Sequence, residues 1–83
     1  MTKYVVRLLH GGVSEQFDAT GIGAAISEME RVGAPYGRDP DDRLSIMGRG
    51  GLDVFSAVGT AEGWEVTQLI DPSVIRAMDY DKV

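Results

Sequence analysis

The sequence predicts a small α+β domain, an antiparallel sheet of about five strands in the chain order ββαβββα with one main helix packed on one face. Three observations predict it. A single well-marked amphipathic stretch lies between residues 17 and 35, short β-branched runs separated by glycine-rich turns fill most of the remainder, and Asp71-Pro72 opens a second, shorter helix.

The chain begins with a strand, Thr2 to His10, rich in β-branched and aromatic residues. Alternation puts Tyr4, Val6 and Leu8 on one side and Lys3, Val5, Arg7 and Leu9 on the other. Gly11-Gly12 suits a two-residue hairpin turn, since both positions need positive φ. Val13 to Asp18 returns as a more polar strand of edge character, with Val13, Glu15 and Phe17 on one face.

The helix follows, with Ile22, Ala25, Ile26, Met29 and Val32 at spacings of three and four on one stripe. Asp18 or Thr20 is the expected N-terminal cap, Gly33 the left-handed terminator and Pro35 the stop. Gly21 and Gly23 cost about 1 kcal/mol each relative to alanine, so packing has to hold this helix. The stripe Ile22, Ile26, Met29 is expected to lie on Tyr4, Val6, Leu44, Val54 and Val66.

Tyr36 to Arg43 reads as a solvated, turn-rich loop. Arg43 to Met47 is the third strand, with Leu44 and Ile46 inward, and Gly48-Arg49-Gly50-Gly51 the next turn. Leu52 to Val58 is the fourth strand, with Leu52, Val54, Ser56 and Val58 on one face and Asp53, Phe55 and Ala57 on the other. Trp64 to Ile70 is the fifth. The short helix Pro72 to Met78 carries Val74, Ile75 and Met78 as its apolar stripe, and Asp71 caps it.

Eighty-three residues make a single α+β domain, 1–83, with one small core. There is no cysteine, so disulfides and thiolate metal sites are excluded, and no apolar run reaches the length of a membrane span. These features predict a cytoplasmic protein. Thirteen acids against eight bases give a net charge of −5, which opposes direct contact with nucleic acid. The excess sits in the second half: residues 50–83 hold six acids and two bases.

Motifs for chemistry are incomplete. Gly21-Ile22-Gly23 opens a helix where a phosphate loop would, but Ile26 stands where the dinucleotide pattern needs glycine. Asp39, Asp41 and Asp42 fail the calcium-loop spacing, because its sixth and twelfth positions are Leu44 and Gly50. His10 is the sole histidine, with Ser14 and several carboxylates nearby in sequence. No catalytic set, metal site or cofactor is predicted.

The expectation is therefore a small acidic, non-enzymatic protein that occupies a surface of a protein partner. The partner class it suggests has a basic nucleic-acid-binding surface, as an inhibitor of phage or mobile-element origin acting on defence machinery of the anti-CRISPR or anti-restriction kind would meet. The alternatives are a structural subunit working by homo-oligomerisation, in the simplest case a homodimer, and a small enzyme. The expected partner-binding residues are Asp53, Phe55, Glu62, Trp64, Glu65 and Leu69. Among them Phe55 and Leu69, with Val5, Leu9 and Ala57, are expected on the sheet face turned away from the helix.

Overall fold

Alternation of buried and open side chains along the first strand sets the whole architecture. In the computed structural model, which describes residues 3–71 with Ser73 and Val74, Tyr4, Val6 and Leu8 are all fully buried and their odd-numbered neighbours are not. They lie on β1 (Lys3–His10), which pairs antiparallel with β2 (Val13–Thr20) on one side and β3 (Arg43–Met47) on the other. β4 (Asp53–Thr60) and β5 (Gly63–Leu69) extend the sheet beyond β3, giving the order β2-β1-β3-β4-β5. All pairings are antiparallel, and the helix α1 (Ile22–Gly33) packs over β2, β1 and β3. The fold is thus the predicted α+β arrangement, with ββαβββ traced by the described elements.

The turns explain the strand ends. Gly11 and Gly12 both hold positive φ, at 53° and 80°, and close the β1–β2 hairpin at the His10–Val13 pair. At the far end Thr60 pairs with Gly63, leaving Ala61-Glu62 as the tip of the β4–β5 hairpin. There the Thr60 hydroxyl donates to the Gly63 carbonyl and accepts from the Glu62 N–H.

The core unites Tyr4, Val6, Leu8, Leu44, Ile46, Val54 and Ala57 from the sheet with Ala25 and Val32 from α1. Ile22 and Met29 pack partly against it, but Ile26 is 41 % exposed. The expected stripe was too broad: its deeper edge runs through Ala25 and Val32, leaving Ile26 at the margin. The ends of α1 also differ from expectation. Gly21 occupies the cap position without a side-chain bond, and Gly33 stays helical instead of turning left-handed. On its outer face Arg31 donates two bonds to Glu28 at 2.7 and 2.9 Å and lies 5.8 Å over the Phe17 ring. That hydrogen bond holds the Glu28 carboxyl below its ordinary range and raises Arg31.

Two irregularities decide which way the last strands face. Ile46 pairs with Phe55, while Met47 pairs with Asp53, so Val54 is an extra residue on β4. Ser56 pairs with Gln68 while Ala57 pairs with Val66, so Thr67 is an extra residue on β5. The expected simple alternation along the fourth strand therefore breaks: Val54 and Phe55 both turn toward the core, and Ser56 and Val58 toward the opposite face. Asp71 accepts the Ser73 N–H and hydroxyl at 2.8 and 2.7 Å, as a helix cap does. The remainder of the expected helix Pro72 to Met78, including Ile75 and Met78 of its stripe, lies outside the described residues.

A candidate docking groove beside the helix

The helix is narrower than the sheet. Among the described residues it packs on β2, β1 and β3, and beside its C-terminal half the same face continues onto β4 and β5, where Val54 and Ala57 are buried but Val66 and Leu69 are exposed. Cross-strand pairing puts Phe55 beside Leu69, Ala57 beside Val66 and Gly59 beside Trp64 on this side. Between them and α1 runs a groove of about 250 Å³, lined by Met29, Glu30, Gly33, Phe55, Ala57 and Trp64. Its walls are apolar apart from Glu30. Val66 and Leu69 continue the apolar strip along β5 and are 51 % and 59 % exposed.

Trp64 is fixed by the backbone of two glycines. Its indole N–H donates to the Gly33 carbonyl at 3.0 Å, spending the side chain's single polar group. A side chain at Gly33 would come within 3.0 Å of Leu44 and 3.3 Å of the indole nitrogen. Gly37, at φ 109°, is closer still, since a Cβ there would lie 2.6 Å from that nitrogen. Gly37 is held in turn by Asp42, which is 5 % exposed and accepts the Gly37 N–H at 2.9 Å. The expectation of a solvated turn at Asp39, Asp41 and Asp42 in the Tyr36–Arg43 loop is corrected at Asp42, which is buried, while Asp39 and Asp41 are exposed. The loop is bonded to β4 through Gly59 N–H to the Asp42 carbonyl and Thr60 N–H to the Gly37 carbonyl, both at 3.0 Å.

The expected partner-binding residues are divided between surfaces. Phe55, Trp64 and Leu69 share the groove side, on the same face as α1. The expectation that Phe55, Ala57 and Leu69 line the face away from the helix is overturned, because the extra residues at Val54 and Thr67 invert the alternation. Phe55 packs partly against the core, whereas Leu69 stays open. Asp53 pairs with Met47 and Glu65 with Val58, on the opposite face and at different ends of the sheet, and Glu62 lies in the hairpin tip. The acids therefore form no continuous row. Sequence reasoning missed Met29, Gly33 and Glu30 as groove residues; the exposed Trp-adjacent side of α1 is visible only once β5 is placed.

His10 Nε2 donates to the Glu15 carboxylate at 2.6 Å, and the ring stacks on Tyr36 with centroids 4.1 Å apart. Ser14 pairs with Leu9 on the opposite face of the sheet, so a serine–histidine pair is not assembled. Asp39 accepts the Asp41 N–H, and among the described residues no three acidic or histidine side chains converge as a metal site requires. No helix among those residues is long and apolar enough to cross a membrane. No family model, curated protein or solved structure matches this chain.

Proposed function

We propose that this protein is a non-catalytic binding module that docks a protein partner in the groove between α1 and the β4–β5 hairpin. The observation that carries this reading is the open apolar strip of Val66 and Leu69 continuous with the groove walls at Phe55 and Trp64. Fully burying one such aliphatic side chain is worth about 1.5–3 kcal/mol, so two of them left half in water are a usable source of affinity. Glu30 lines the groove, and from Thr60 through Asp71 the chain has three acids, Glu62, Glu65 and Asp71, and no base. The matching partner surface is apolar with lysine or arginine at its rim. Occupation of a basic nucleic-acid-binding protein is the use we attach to this reading.

The test is a titration with a synthetic peptide alternating valine and lysine, followed by Trp64 fluorescence and backbone NMR. Saturable shifts centred on Phe55, Trp64, Val66 and Leu69, weakened by added salt, support the assignment. Equal binding by a Val66→Ser/Leu69→Ser variant rules the groove out. Self-association through the same strip is the second reading, motivated by the position of β5 at the edge of the sheet among the described residues. A dimer seen by sedimentation would select it.

A further inference from the structure

The sheet face opposite α1 carries a different kind of surface. Strand register sets Gln16, Arg7, Ser45, Ser56 and Gln68 side by side, one from each strand, in a single polar row across the sheet. Arg43 stands on β3 opposite Leu9, one row along from Arg7. Arg7, Arg43, Ser45, Ser56 and Thr67 line a concavity of about 450 Å³, with Asp53 at its β4 side.

Arg7 is the anomalous member of this row. It makes no ion pair among the described residues, and its Nε is shut off from solvent with no hydrogen-bond partner. Buried donors are nearly always paired, so an uncommitted one marks a side chain with something to gain by moving. Arg7 gives up no bond when it swings outward. Arg43 is better tethered, since its Nη1 donates to the carbonyls of Pro40 and Asp42, and its other nitrogens carry no further hydrogen bond among the described residues.

We propose that this concavity binds a small, hydroxyl-bearing phosphate monoester, with the phosphate between Arg7 and Arg43. The Nε/Nη edge of a guanidinium matches two oxygens of one phosphate, and two guanidiniums match its double charge better than that of a carboxylate. Ser45 and Ser56 add hydroxyl donors for the remaining oxygens. Asp53 repels a second phosphate and accepts from a ligand hydroxyl. The overall charge of −5, with Asp53 and Glu65 on this same face, opposes a polyanion or an anionic membrane. The described residues of this face include no aromatic ring on which a base could stack.

The experiment titrates the full chain with inorganic phosphate, glycerol 3-phosphate and acetate while observing the Arg7 Nε–Hε signal and the Ser45 and Ser56 amides by NMR. Both phosphates are expected to shift these signals saturably, glycerol 3-phosphate at lower concentration. Arg7→Gln weakens the effect about tenfold or more, and Arg7→Lys falls between, keeping the charge without the fork. If Arg7→Gln does not fold, Arg7→Lys and Arg43→Gln carry the comparison. Absence of a saturable shift, unchanged binding in the variants, acetate as tight as phosphate, or no gain from the glycerol hydroxyls overturns the proposal.

Discussion

The two wings of the sheet are built from similar strands and differ in what covers them. Under α1, β1 and β3 bury Tyr4, Val6, Leu8, Leu44 and Ile46 almost completely. Beyond the edge of the helix, β4 and β5 carry Phe55 and Trp64, both half-buried, and the exposed Val66 and Leu69 on the same face. The covered wing supplies stability and the uncovered wing supplies a surface. A short helix of 12 residues, about 18 Å long, can cover only part of a five-stranded sheet. The same limit that leaves the core small leaves the groove open.

The contrast is broken most directly by truncating a covered residue. Leu8→Ala is expected to cost about 2–5 kcal/mol, against a total of about 5–15 kcal/mol for a domain, and so to lower the urea midpoint sharply. A midpoint near that of the parent would show that the covered wing does not hold the fold. Next is the seam between the wings. Gly37→Ala introduces an unfavourable positive φ and a contact inside 3 Å with the indole, and is expected to cost about 1–3 kcal/mol with a changed Trp64 emission. Parental emission would mean that the loop yields without disturbing the tryptophan.

Smaller effects sharpen the comparison. Leu69→Ser on the open wing should change stability by no more than about 0.5 kcal/mol while weakening peptide binding, a dissociation of the two readouts that Leu8→Ala cannot give. Ile26→Asp, at the margin of α1, is likewise expected to leave a folded protein, and loss of the cooperative melt would show that Ile26 belongs to the core. The smallest effect is at Asp71. Its bonds to Ser73 hold the carboxyl below its ordinary value of 3.8. Stabilisation of that turn is therefore complete above the unfolded carboxylate range and lost as pH falls through the lowered value. Protection of the Ser73 amide from exchange, taken relative to its intrinsic rate at each pH, should fall only in that acidic window, and Asp71→Asn should abolish this pH-dependent change in protection.

Much of the fold was legible because local rules and global packing agree. Gly11-Gly12 fixes one hairpin, and alternation along Tyr4, Val6 and Leu8 fixes the buried face. The faces of β4 and β5 were not legible, because one extra residue at Val54 and another at Thr67 each reverse the alternation, and no local residue type announces them. Gly33 was misread for a related reason. A glycine near a helix end looks like a left-handed terminator, whereas its observed role is close approach to Trp64, 31 residues away in the chain. The apolar membership of the groove was therefore visible in Phe55, Trp64 and Leu69, but its location was not.

The central seam of the sheet has a kinetic consequence. β1 pairs with β2 and β4 with both its neighbours through local turns, but β1 meets β3 by joining residues as distant as Val5 and Met47. The hairpin and the meander can each gather within microseconds, while the seam must close a loop that contains the whole of α1. The barrier to folding is expected at that closure. Substitutions at Val6 and Ile46, which face each other across it, should slow refolding, whereas those at Val66 should act mainly on unfolding.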